Sequence, residues 1–352
     1  MDSIVAQYKK YVRTRTWFLV ITIILLLAVS LFSLLSGSAN IGLRNIFDLL
    51  IGKGDAFADR VILNIRLPRA IGAILSGSAL AVAGAVTQII LRNPLASPYT
   101  LGISGAAAFG AAFAIVVLGA GSVYSGSDDM AMVSNPYILT ISAFICSMIG
   151  VLIILSLARY KGASPEIIIL SGIIVSSLFT AGIAAMQYFA DSIQLSSIVF
   201  WTFGDLGRAY WDNLLVLTVV IVPVLIFFFS QIWTYKSLQS SDEHAASLGV
   251  NVNRVRLTGM LAAALLTSVV VSFYGVIAFV GLAVPHIIRR IIGSDEQFLI
   301  PASVVFGGLF LLLCDTLSRT IISPVILPVG IFTSFVGAPL FLFLLIKGMK
   351  KY

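Results

Sequence analysis

"LTGMLAAALLTSVVVSFYGVIAFVGLAVPHII", residues 257–288, runs for 32 residues without an Asp, Glu, Lys or Arg. As one continuous helix it would be about 48 Å long, against a bilayer hydrocarbon core of about 30 Å. It therefore either crosses once at a steep tilt or folds back on itself near Phe273-Tyr274-Gly275. Charge decides between the two. Lys9, Lys10, Arg13 and Arg15 precede the first apolar segment, and the positive-inside rule places that end in the cytoplasm. Alternating crossings then bring Arg92, Arg159, Lys161, Lys236, Arg254 and Arg256 to the same side. A single crossing over 257–288 would send Arg289, Arg290, Lys347, Lys350 and Lys351 outside, whereas a hairpin keeps all five inside and leaves Arg319 outside. The hairpin gives 15 Lys and Arg inside against 7 outside, and with it ten spans and both termini cytoplasmic. Its second arm, roughly 275–288, is short. A short or broken helix survives in a membrane only when buried in protein or facing a watery cavity.

The rest of the chain agrees with a lipid solvent. Of 352 residues, 59% are hydrophobic and 11% charged, where a soluble domain carries about 25% charged residues. Nine stretches hold no Asp, Glu, Lys or Arg: 16–43, 70–91, 93–127, 130–158, 167–190, 213–235, 257–288, 297–314 and 320–346. Each can supply the roughly 20 residues of a spanning helix. The expected fold class is all-α, a polytopic protein of the cell membrane with one transmembrane domain over 1–352. The first apolar segment is too long for a cleavable signal and lacks a small-residue cleavage site. The segment 37–69 is the longest outside, polar and Gly-containing, and reads as a partly amphipathic cap. Cys146 and Cys314 both lie in apolar segments and read as small core residues. No disulfide framework or zinc spacing is present, and His244 and His286 sit in unlike surroundings. Lipid is an expected partner and nucleic acid is not.

Ala73, Gly77, Ala81 and Ala85 recur at every fourth position, as do Gly102, Ala106, Gly110 and Ala114. Small residues at that spacing let backbones approach closely, which suits internal bundle packing or a pathway wall. Pro324, Pro328 and Pro339, with Gly330 and Gly337, break the last apolar stretch, so a short irregular element should follow Arg319 before the final span. Equally informative is what is missing. No span carries a carboxylate or lysine at mid-membrane: Asp191, Asp205, Asp212 and Asp315 fall near outer ends and Glu166 at an inner start. Coupled carriers ordinarily need intramembrane ionisable groups or unwound ion sites. The "GKG" at 52–54 lacks the frame of a phosphate loop, and no catalytic constellation is visible. The chain is therefore expected to be no enzyme and to bind no cofactor, and a pump built on it must borrow its energy.

One polar island interrupts the apolar chain, "SSDEHAASLGVNVNRVR" at 240–256, within a loop of about 237–256. Ser240-x-x-Glu243 fits a capping box, and Asp242 and Glu243 suit the positive end of a helix dipole. Gly249 stands where a glycine would stop the helix. A helix of about two turns over 241–248 is marginal alone and needs a surface to lie against. Ala245, Ala246 and Ser247 offer little bulk, so a partner can approach closely. Physics alone leaves two readings open here, an ordinary capped loop or a docking knob.

"DEHAASLGVNVNRVR" (242–256) resembles the ATPase-docking loop of the permease family of ABC importers for iron–siderophores, haem and cobalamin. So do "RLPRAIGAILSGSALAVAGAVTQIILRNPLASPYTLGISGAAAFGA" (66–111), "FWTFGDL" (200–206), "GVIAFVGLAVPHIIRRIIG" (275–293) and "LPVGIFTSFVGAPLFLFLL" (327–345) resemble family stretches in the same order. The resemblance implies the cobalamin-permease-like transmembrane fold of ten helices. It implies that Asp242, Glu243, His244, Ala245, Ala246, Ser247, Leu248 and Gly249 form a coupling helix for a cytoplasmic ATPase subunit. It implies that Arg66, Arg69 and Arg319 meet acidic side chains of an extracytoplasmic substrate-binding protein, a pairing that guanidinium forks suit. Without the resemblance, arginines at span ends read as interfacial anchors. Trp201, Gly204, Phe273 and Gly275 become pathway or gating candidates at the interface of two permease subunits, identical or paralogous. Two ATPase subunits would carry ATP and Mg. Asp205 departs from the family pattern, in which many members carry a small Ser after the Gly; only local contacts are affected.

The leading expectation is thus an importer permease that moves a metal chelate by alternating access, iron–siderophore before haem or cobalamin. The other reading is a secondary carrier or channel, which would transport without an ATPase. An intramembrane enzyme would need a reactive constellation that the sequence lacks.

Overall fold

The computed structural model describes residues 2–37, 39, 41–120, 135–239, 241–323 and 325–349. Ser240, Pro324, Lys350 and Lys351 lie outside the described residues. Among the described residues all regular structure is helical. In chain order the helices are α1 (Asp2–Leu35), α2 (Leu43–Leu50), α3 (Ala56–Val61), α4 (Leu67–Ile90), α5 (Ile103–Val116), α6 (Pro136–Tyr160), α7 (Pro165–Phe189) and α8 (Ser192–Thr202). They continue as α9 (Trp211–Ser230), α10 (Ile232–Ser237), α11 (Asp242–Ser247), α12 (Val252–Tyr274), α13 (Val280–Ile292), α14 (Glu296–Thr320) and α15 (Val329–Met349). A π-helical turn, Ile62–Arg66, joins α3 to α4, so that Ala56–Ile90 forms one long element. Seven of the described helical elements are long and apolar enough to cross a membrane: α1, α3–α4, α6, α7, α9, α12 and α14. With the shorter α5, α13 and α15 the protein has about ten spans.

Local chemistry sets where the helices begin. Asn135 accepts from the N–H groups of Tyr137 and Ile138, and Ser164 accepts from Ile167 N–H. Each cap is followed by a proline at the first helical position, whose missing N–H is one the helix could not use. The hairpin expected near Gly275 is present. α12 stops at Tyr274, and Gly275 turns the chain with φ +77°. Residues 275–279 are irregular before α13 returns. The return helix starts at Val280, later than the apolar pattern suggested, and the Tyr274 carbonyl accepts from Asp205 N–H at 2.8 Å, which fastens the end of α12 to another segment. α13 buries Val280, Ala283, Val284 and Ile288, which is how a short helix is accommodated.

α4 is the central rod. It packs on α14, α12, α13 and α9. Its glycines explain the closeness. A Cβ on Gly84 would lie 1.8 Å from the Gly281 carbonyl oxygen of α13, and one on Gly77 would lie 2.2 Å from the Gly307 carbonyl oxygen of α14. On α5, Gly110 faces the backbone of α6, where Ser142 Oγ donates to the Gly110 carbonyl at 2.7 Å. The small-residue stripes therefore serve helix packing within the chain. Beyond α14 the described residues 321–323 and 325–328 are irregular before α15, as the prolines indicated.

Candidate functional site

The polar island folds as α11. Ser241 is extended and its Oγ accepts from His244 N–H at 2.9 Å. The cap is therefore Ser241, with His244 the third helical residue, and the capping box expected from Ser240 lies outside the described residues. At the other end Gly249 N–H donates to Ala246 O at 2.9 Å and Val250 N–H to Ala245 O at 3.1 Å, with Gly249 at φ +82°. These paired bonds close the helix as the sequence suggested. Six residues cannot hold a helix alone. Ala245 is wholly buried and serves as the anchor, which corrects the expectation that it lies open to a partner beside Ala246 and Ser247. Glu243, His244, Ala246, Ser247, Leu248 and Gly249 are exposed, with Leu248 at the tip 61% accessible.

Asp242 does more than complement a dipole. Its carboxylate takes Arg92 Nη2 at 2.6 Å and Arg256 Nη2 at 2.9 Å. Arg256 begins α12, is buried, and its Nε also approaches the Ile90 carbonyl at 3.4 Å. Arg92 follows α4 and its Nε donates to the Leu238 carbonyl at 2.9 Å. The backbone of Arg92 is left-handed, φ +45°. Arg92 N–H bonds Ile89 O at 3.2 Å and Asn93 N–H bonds Gln88 O at 3.1 Å, the termination seen at Gly249 but with an arginine in the glycine place. A side chain there costs about 1 kcal/mol. The ion pair with Asp242 is a third to two-fifths exposed, which returns about 0–1 kcal/mol. The pair and the hydrogen bond to the Leu238 carbonyl together offset that cost, so the arginine is held there by what its side chain grips.

A second carboxylate fixes the segment before the island. Asp295, between α13 and α14, receives Lys236 Nζ at 3.1 Å, Arg15 Nη1 at 3.2 Å and the Tyr11 hydroxyl at 3.2 Å. Gln239 Nε2 reaches the Ser294 carbonyl at 3.2 Å. Burial presses the Asp295 carboxyl upward, but the hydrogen bonds from Lys236, Gln297 N–H and Tyr11 and the charge of Lys236 outweigh it and hold it below the ordinary carboxylate value. Asp242 thus ties the island to α4 and α12, and Asp295 ties α10, which leads into the island, to α1 and the α13–α14 turn. Arg92 and Asp295 were not foreseen as parts of this site, and Arg256 was foreseen only as the end of the island; nothing in the sequence marks the three as partners of one assembly.

At the opposite end, Arg66, Arg69 and Arg319 do come together, but not as an open patch. Arg66 donates to the carbonyls of Leu34, Leu35 and Ala39 at 2.7, 3.0 and 2.7 Å. Arg69 Nε and Arg319 Nε bind Asp315 at 2.9 and 3.1 Å, and Arg69 Nη2 also approaches Asp205 at 3.4 Å. Asp315 has no exposed surface, and the side chains of Arg69 and Arg319 are 9% and 8% exposed. This corrects the expectation that the three guanidiniums face outward: their donors are spent inside, because a buried guanidinium must find acceptors and Asp315 is placed between two of them.

Trp201, Gly204, Phe273 and Gly275 are also brought together. A Cβ on Gly275 would lie 2.3 Å from the Trp201 carbonyl oxygen, and one on Gly204 would lie 2.2 Å from the Val276 carbonyl oxygen. Gly204 O accepts from Gly330 N–H at 3.1 Å, which adds the start of α15 to the cluster. Asp205 accepts from Gly207 N–H at 2.8 Å and opens the short turn Leu206–Arg208. Two clefts flank the cluster. One of about 490 Å³ is lined by Trp201, Phe273, Tyr137, Arg208 and Asp212 among others; the second, of about 550 Å³, lies between Thr202, Phe203, Val276, Ile331 and Phe335. Burial lowers the Arg208 guanidinium from its usual value.

Among the described residues no group of three or more His, Cys, Asp or Glu could hold a metal ion. Comparison with known proteins adds four findings. The model of the FecCD transport family matches residues 25–347. An ABC transporter permease protein of Methanocaldococcus jannaschii is 51% identical over 98% of each chain. The hemin transport system permease protein of Yersinia pestis is 37% identical over 94% of this chain and 95% of its own. Among solved structures, an inward-facing metal-chelate type ABC transporter is similar with a TM-score of 0.82 and 30% identity, covering 94% of this chain and 98% of that one.

Proposed function

The chain belongs to the FecCD transport family, and on that premise we propose that it is the permease subunit of an ATP-driven importer that carries a metal chelate into the cell by alternating access. It is a multi-pass plasma-membrane protein. The observation that carries the proposal is α11, a helix closed at both ends, anchored through Ala245 and Asp242, with Glu243, His244, Ala246, Ser247, Leu248 and Gly249 turned outward. A knob fixed to α4 and α12 can receive a displacement from a cytoplasmic ATPase and pass it into the spans. ATP and Mg belong to that partner, of which the transporter has two, paired with two permease subunits.

Nucleotide binding can favour one packing of the permease only by as much as the ATPase binds that packing better. The Asp242 clamp converts such a preference into motion, since it leaves α11 little freedom of its own, while Asp295 holds the preceding α10. Outside, a substrate-binding protein delivers the chelate. Arg69 and Arg319 brace the outer face from within through Asp315, Arg66 does so through carbonyls at the end of α1, and the cluster of Trp201, Gly204, Phe273 and Gly275 controls the mouth of the pathway. The cargo is a metal chelate of the iron–siderophore, haem or cobalamin kind; the hemin permease among the relatives supports that class.

The test is docking. Gly249→Arg or Glu243→Arg in the full transporter should release the ATPase on purification and stop uptake, while the chain still folds. An ATPase that stays bound with uptake intact would show that α11 is not its seat.

A further inference from the structure

We infer that Arg92 is a positioning residue: its left-handed backbone aims the guanidinium at α11, and so makes α4 the element that receives the motion of that helix. The inference rests on the proposed docking of an ATPase at α11. Three observations carry it. First, Arg92 occupies the position after α4 where a glycine would be relaxed, φ +45°, with both terminating hydrogen bonds formed by the backbone alone. Nothing in the chain path requires a side chain there. Second, that side chain grips both walls of the loop before α11: Nη2 holds Asp242 at 2.6 Å and Nε holds the Leu238 carbonyl at 2.9 Å. Third, the element behind it is the most enclosed of the candidate spans. Within the apolar window of Ala56–Ile90, 83% is buried, against 67% for Val252–Tyr274, which supplies the other arginine of the clamp. A push on α11 delivered through Arg92 therefore enters the core of the bundle, while Arg256 delivers its share to α12. Strain at a residue whose neighbours over-determine it is a feature of sites where geometry matters more than stability.

The experiment separates grip from strain with three variants of the full-length chain in lipid nanodiscs: Arg92→Gly, Arg92→Ala and Arg92→Lys. Melting temperature, amide exchange across residues 242–250, and affinity for the transporter's own purified ATPase are measured for each. Arg92→Gly should melt above Arg92→Ala, because only glycine relieves the backbone. Both should exchange the α11 amides about tenfold faster and bind the ATPase about tenfold more weakly, the effect of losing the Asp242 pair and the hydrogen bond to the Leu238 carbonyl together. Arg92→Lys, a point charge without the fork, should fall between them and the unaltered chain. Exchange and affinity unchanged in both Arg92→Gly and Arg92→Ala would overturn the inference, as would Arg92→Ala melting at or above Arg92→Gly. If the unaltered chain fails to bind the ATPase while Arg92→Gly still speeds exchange at α11, the docking proposal falls and the positioning role stands.

Discussion

Replacing Asp315 by asparagine removes the one carboxylate shared by two buried guanidiniums and keeps the side chain's shape. Asp315 has no exposed surface, and the Arg69 and Arg319 side chains are 9% and 8% exposed. Breaking a buried ion pair by deleting one partner costs about 3–5 kcal/mol, most of it from the charge left without a partner. The remaining contacts place the loss at the low end. Arg69 keeps Asp205 at 3.4 Å, and Arg319 keeps Ser33 Oγ at 2.8 Å. A loss of about 3 kcal/mol is about two powers of ten in the folding equilibrium. At roughly 2 °C per kcal/mol, as for large domains, it lowers the melting temperature by about 6 °C. Melting of the detergent-solubilised chain, followed by tryptophan fluorescence, reads it directly. Asp48→Asn is the matched control, since among the described residues Asp48 pairs only with Arg44, whose side chain is 93% exposed, and such pairs contribute about 0–1 kcal/mol. An Asp315→Asn protein that melts within about 1 °C of the original would refute the buried network and restore the reading of these arginines as an outward patch.

Other consequences follow from the packing and from the cytoplasmic clamp. Gly84→Ala forces a methyl against the Gly281 carbonyl, with 1.8 Å between ideal Cβ and oxygen; backbone cannot yield there, and we expect a loss of about 3 kcal/mol or more in melting experiments. Gly105→Ala, which meets nothing within 4 Å, should be neutral or slightly stabilising. Because the Asp295 carboxyl is held below its ordinary value, its contribution is fully present above the unfolded carboxylate range and disappears as pH falls through the folded value. The melting difference between the original chain and Asp295→Asn should therefore be flat from about pH 8 to 5 and shrink below about pH 4. A difference that changes between about pH 6 and 8 would assign the latch to another group.

Much of the architecture was legible in the sequence because membrane constraints are one-dimensional. Length, missing charge and the side on which lysines and arginines fall determine where the chain crosses. The fold-back at Gly275 followed from charge alone, and Gly249 as a helix stop from its place after a short polar run. What stayed hidden depends on which side chains meet across the bundle. Asp242 looked like a residue for a helix dipole, and only the proximity of the ends of α4 and α12 makes it the centre of a clamp. Arg66, Arg69 and Arg319 looked exposed because span ends usually are; Asp315, 246 residues from Arg69 in sequence, draws Arg69 and Arg319 inward. Ser241 took the cap from Ser240, the one-residue uncertainty that any run of neighbouring cap-formers carries.

The central claim, that an ATPase seats on α11, is tested most directly by placing a photo-crosslinking side chain at Leu248 in the assembled transporter. An adduct joining this chain to the ATPase should form there and should be absent when the same group replaces Tyr137, which is 66% exposed near the opposite face. A transporter that hydrolyses ATP and moves its cargo yet yields no adduct from position 248 would contradict the account.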